Sequence, residues 1–121
     1  MTNAAPEIIS GPGSLPMGAD GKRLEERRVR AVAAAQAATA ALAALNVRAV
    51  VTGSLARGRF GPHSDVDLLV TACPRHLKYA IEGIVEDALA GIPFDVIYLD
   101  ELPCWRLARF TEGAVHAFEL R

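Results

Sequence analysis

Two short words at a fixed spacing constrain this chain more than any other feature. Gly53-Ser54 is followed by ten residues and then by Asp65-Val66-Asp67. An apolar run from Val47 to Val51 leads into the first word, and a second run from Val66 to Val70 carries the other. A fold that accepts this segment must place two strands around a glycine turn, with two carboxylates at the start of the second strand. Side chains alternate faces along a strand, so Asp65 and Asp67 point the same way. Carboxylates side by side repel, and a cation between them removes the repulsion. Hard cations such as Mg2+ take oxygen ligands and keep phosphate oxygens or waters as the remainder. The pair therefore reads as half of a metal site whose other half is a phosphate-bearing substrate.

The first word has its own chemistry. NVRAVVTGS is a β-branched run ending at Gly53, and SLARGRF has no breaker before Gly58, so a helix is expected to open at Ser54. A strand, a glycine turn and a helix N-terminus together favour an anion, through free N–H groups and the helix dipole. Gly53 allows close backbone approach. Ser54 offers a hydroxyl to a phosphate oxygen, and Arg57, three residues on, offers a charge-assisted fork. The turn Gly61-Pro62-His63-Ser64 then returns the chain as a neighbouring strand. A third carboxylate is expected, since two rarely complete the shells of two metals. The best candidate is Asp95 in IPFDVIYLDEL, within an apolar run, Phe94 to Leu99, that reads as a buried strand. A carboxylate there is costly unless paired or metal-bound. Asp100 and Glu101 suit a solvated turn.

With these residues in place, the chain resembles the polymerase-β-type nucleotidyltransferase superfamily. The words GSLARG and SDVDLLV are most similar to the minimal nucleotidyltransferases, many of which are antitoxins of HEPN/MNT toxin–antitoxin pairs. The resemblance covers about residues 24 to 120. It implies an α/β (α+β) fold, with a small mixed sheet and helices packed mainly on one face. It implies that Asp65, Asp67 and Asp95 bind a pair of Mg2+ ions, and that Asp95 helps deprotonate the attacking hydroxyl. Gly53, Ser54 and Arg57 would hold the triphosphate. The implied activity is transfer of AMP from ATP, with release of pyrophosphate. For the antitoxins the acceptor is a tyrosine hydroxyl of the HEPN-type toxin, with which a hetero-oligomer is expected.

Composition bounds the rest. At 121 residues one domain is expected, with residues 1–20, rich in Gly and Pro, as a flexible lead and 21–121 as the domain. Hydrophobic content of 51% is high and much of it is alanine; the excess hints at a partner surface. A net charge of −1 gives no general attraction to nucleic acid, so no direct binding to it is expected. Cys73 and Cys104 match no zinc or redox spacing and suit a reducing, cytoplasmic setting. Neither a secretory signal nor a membrane span is apparent.

Along the chain, a long helix is expected over 21–45, capped by Asp20, anchored by Leu24, Val32, Leu42 and Leu45, and ended by Asn46. Strands are expected at about 47–52, 66–71 and 94–99. A helix should run from Pro74 to about Leu89, and another from Pro103 to about Glu112. AVHAFEL is a short last strand or tail.

Bland readings compete at several positions. Arg57 and Arg59 suit a solvated surface as well as phosphate, and His63 suits a turn. Arg109 and His116 are spaced as in some ribonuclease motifs, but the intervening residues lack the polar member, so chance explains them. Trp105, Phe110 and Phe118 suit core or partner packing better than base stacking. Tyr79 and Tyr98 are conceivable acceptors, and burial explains Tyr98 better. Two other functions stay open. One is an antitoxin acting by binding alone, against which the intact Asp65, Asp67 and Asp95 speak. The other is transfer to a small molecule such as an aminoglycoside, which usually needs an added helical domain.

Overall fold

The computed structural model describes residues 19–120. The expected lead over 1–20 lies almost wholly outside them. Helix α1 spans Ala19–Ala43, so Asp20 falls within the helix rather than before it. Its buried face is Ala31, Ala35, Ala38 and Leu42, one stripe at helical spacing. Of the other expected anchors, Leu24 and Val32 are only partly buried and Leu45 is 41% exposed. The alanines themselves form the packing face, because small side chains let helix and sheet approach closely. Ala33, Ala37, Ala40, Ala41 and Ala43 of the same helix are exposed. The helix ends as expected at Asn46, which takes φ 65°. Val47 N–H donates to Leu42 O at 3.0 Å and Asn46 N–H to Ala43 O at 3.0 Å. This is the Schellman pattern, with Asn in the left-handed position and buried Val47 packed back on the helix.

Strands β1 (Arg48–Thr52), β2 (Val66–Ala72) and β3 (Phe94–Tyr98) form one sheet in the order β1-β2-β3. β1 and β2 are antiparallel, and β2 and β3 are parallel. Between β1 and β2 stands a single helical turn, α2 (Gly53–Ala56). Between β2 and β3 lies α3 (Ile81–Leu89), the crossover that parallel neighbours require. The expected helix from Pro74 is α-helical only in its second half. Arg75–Ala80 is 3-10 helix with no buried residue, whereas Ile81, Val85 and Leu89 are buried. Leu77, one turn before Ile81, packs on the core only partly buried; full burial of that face begins at Ile81, and packing of such a face is what stabilises an α-helix in a small domain. α4 (Cys104–Thr111) follows β3. The last segment is not a strand. Val115 makes one antiparallel bridge to Val51, and Ala117–Glu119 is a 3-10 turn capped by His116.

Strand register sorts the two faces. Ala49 and Val51 face the same side as Val70 and Leu68, and with Val66 they meet the apolar stripes of α1 and α3 in the main core. The opposite face carries Val50, Thr52, Asp67, Leu69, Asp95 and Ile97. Helices α1 and α3 thus pack on one face of a small mixed sheet, in the arrangement of the polymerase-β-type fold. Strand β3 is less buried than its apolar run suggests. It is an edge strand with partly exposed side chains throughout. Among the described residues, no helix is long and apolar enough to cross a membrane.

Candidate active site

Asp67 stands at the centre of the polar end of the sheet. Its register partners are Thr52 on β1 and Asp95 on β3, so these three residues form one row across the sheet. Partners in register project to the same face. The Asp67 carboxyl is pushed up to about 6, first by burial, then by the negative charge of Asp95, then by that of Asp65. The three carboxylates therefore share one local field. Asp65 and Asp95 are exposed and Asp67 is half-buried. The burial argument for Asp95 fails, because the start of the edge strand is open to solvent. Its register opposite Asp67 is what ties it to the other two.

Gly53 sits against this row. Its φ is +75°, and a Cβ built on it would overlap the Asp67 carboxylate. Both the left-handed backbone and the close approach require glycine here. Ser54 follows, half-buried. The helix expected to open there lasts one turn, so its dipole is a small fraction of a full helix's. Its first N–H groups still lack intrahelical acceptors, as in any helix. Arg57 closes the turn, donating its backbone N–H to Gly53 O at 3.1 Å.

A cleft of about 310 Å³ opens beside Asp67, lined by Thr52, Gly53, Arg57, Arg106, Arg109 and Phe110 as well. Ser54, Asp65 and Asp95 do not line it. Helix α4 forms its far wall, and the buried Thr52 hydroxyl donates to Phe110 O at 2.9 Å, fixing α4 to the sheet. Arg106 lies 4.8 Å from the Phe110 ring centroid and 5.7 Å from that of Trp105. Among the described residues, none of Arg57, Arg106 and Arg109 is ion-paired with a carboxylate. Three arginines that no carboxylate pairs with, lining one cleft, suit an anionic ligand.

Sequence reasoning missed Arg106 and gave Arg109 to chance. Their spacing of three residues on one helix was the available signal, but nothing local says that α4 crosses the sheet at Thr52. Arg109 and His116 do part company, as expected. His116 is exposed and lines a different groove with Thr39, Val47 and Thr71. Arg59 and His63 are exposed and outside the cleft. Trp105 and Phe118, at 80% and 60% exposed, are not core residues. Tyr98 is half-buried beneath Lys78, whose Nζ lies 4.6 Å from the ring centroid.

The donor set of Asp65, Asp67 and Asp95 fits a hard divalent cation: three carboxylates, the central one desolvated and under the negative charge of its neighbours. Among the described residues, no three His, Cys, Asp or Glu side chains already stand together as a ligand set. Oxygens of a phosphate-bearing substrate suit the remaining positions. The family model described as nucleotidyltransferase domain matches residues 37–115, which hold every residue of the row and the cleft. No curated protein matches the chain at the significance required.

Proposed function

The chain belongs to the nucleotidyltransferase domain family, and we propose that it transfers AMP from ATP to a tyrosine hydroxyl of a HEPN-type toxin and thereby acts as its antitoxin. The observation that carries the nucleotidyl step is the row Thr52-Asp67-Asp95 set against a cleft walled by Arg57, Arg106 and Arg109. The protein acceptor is supported by the likeness of GSLARG and SDVDLLV to the minimal nucleotidyltransferases. Trp105 adds to it: exposed next to cleft-lining Arg106, it offers the kind of aromatic anchor that protein interfaces favour.

In this reading the arginines and the first-turn N–H groups at Gly53 and Ser54 hold the triphosphate, with the α-phosphorus toward Asp67. The acceptor oxygen forms a bond to the α-phosphorus. The bond to the β-phosphate oxygen breaks, and pyrophosphate leaves with the electron pair. Asp95, open to solvent at the sheet edge, takes the hydroxyl proton. Mg2+, when held by Asp65, Asp67 and Asp95, would neutralise phosphate charge and acidify the attacking hydroxyl. The protein's contribution is mainly position and charge.

Intact mass of the HEPN-type partner tests this, after co-expression with the wild type or with Asp65→Ala/Asp67→Ala. A gain of one or more AMP units with the wild type alone supports the proposal. An unmodified partner held in a stable complex would replace it with inhibition by binding.

A further inference from the structure

The buried stripe of α1 runs Leu42, Ala38, Ala35, Ala31 and then, four residues earlier on the same face, reaches Arg27. A cation at the end of an apolar stripe needs a reason. Arg27 lies over the buried Phe60 ring, 5.3 Å from its centroid. Its Nη2 donates to the Ser64 carbonyl at 2.9 Å. Its Nε is buried and has no hydrogen-bond partner. Packing alone would be served as well by an apolar side chain of similar size, since a partly buried guanidinium with an unbonded Nε is a poor stabiliser.

What the guanidinium holds is informative. The turn before β2 is closed on itself: Gly61 N–H donates to Ser64 Oγ at 2.8 Å, and Ser64 N–H to Gly61 O at 3.2 Å. Its last carbonyl goes to Arg27. On the other side, Val66 N–H donates to Pro93 O at 2.9 Å, where pairing with β3 begins. Asp65 is the single residue between these two fixed points. Asp67 needs no such device, because strands flank it on both sides. Asp65 precedes the strand and is exposed.

We infer that Arg27 is a positioning residue. By tying down the Ser64–Asp65 peptide from α1, it aims the Asp65 carboxylate at the cation shared with Asp67 and Asp95. The cation rests on the function proposed above; the pinning of the peptide does not. Arg27 lies outside residues 37–115, the segment that the family model matches.

The test uses the full chain, with Arg27→Met, Arg27→Lys, Asp65→Asn and the double variant Arg27→Met/Asp65→Asn. Backbone heteronuclear NOEs without metal, Mn2+ binding by electron paramagnetic resonance, and Tm are measured on each. In Arg27→Met the NOEs of Ser64 and Asp65 should fall while that of Asp67 holds, with Tm unchanged or higher. Mn2+ affinity should drop about tenfold, as loss of a residue that orients a ligand generally does. Arg27→Lys, which keeps a cationic donor, should recover most of it. The double variant should bind Mn2+ no more weakly than Asp65→Asn alone, because Arg27 acts through Asp65. Unchanged NOEs in Arg27→Met, or additive losses in the double variant, would overturn the inference. A wild type that binds no Mn2+ would count against the proposed function instead, and the NOE contrast would still decide whether Arg27 pins Asp65.

Discussion

The raised Asp67 carboxyl makes the metal-free protein unstable at one identifiable point, and Asp67→Asn should relieve it. The shift from 3.8 to about 6 is roughly 2 units, or about 3 kcal/mol at 1.36 kcal/mol per unit. Asp67 is only half-buried, so solvent screening reduces this to about 1–2 kcal/mol. The sign follows from proton linkage. Between the unfolded and folded values the native state binds the extra proton, so stability falls as pH rises through that window. Above pH 6 the full cost is present, and below about 3.8 it vanishes. Asn keeps the shape and removes the charge. In EDTA at pH 7.5 the variant should melt about 5–10 °C higher than the wild type, on the scaling for a domain of about a hundred residues. The gap should close as the pH is lowered to 4. Thermal melts of both proteins across pH 4–8 supply the comparison. A variant less stable at pH 7.5, or a gap independent of pH, would refute the assigned electrostatics. Nucleotidyl transfer by the same variant should be lost, so stability and activity move in opposite directions.

Other perturbations have equally definite outcomes. Gly53→Ala meets both a left-handed backbone and the Asp67 carboxylate, so it should lose about 2 kcal/mol or more in denaturant unfolding. Arg106→Ala and Arg109→Ala should each weaken ATP binding about tenfold or more, by loss of a charge-assisted bond to phosphate, while changing Tm little; isothermal titration calorimetry reads this directly. Ala90 holds φ 46° at the end of α3, so Ala90→Gly should raise stability by about 0.5–1 kcal/mol in urea unfolding.

The Gly53 turn and the strand that carries Asp67 were legible because they depend on neighbours in sequence, whereas Asp65 stands one residue before that strand, where alternation does not reach. A glycine between a β-branched run and a helix former, and alternation along a strand, act within a few residues. The Asn46 stop was legible for the same reason. The apolar run around Asp95 gave its strand but misjudged its burial, since edge or centre is a property of the sheet and not of the strand. The helix from Pro74 was read too long, because the α and 3-10 alternatives are separated there by which residues find a core to pack against.

By itself, then, the sequence determined the local geometry around Gly53 and along the strand of Asp67, the fold class that accommodates them and the carboxylates proposed to hold a cation. Tertiary structure alone decided three further matters. The parallel register of β2 and β3 sets Asp95 opposite Asp67. The Thr52 hydroxyl, 58 residues from Phe110, brings the arginines of α4 to the cleft. Arg27, 37 residues from Ser64, reaches the turn that carries Asp65. Each depends on which surfaces bury against one another across the whole domain. A single contact of that range leaves no periodic trace in the chain, because its free energy comes from the packing of many distant residues rather than from the two that meet.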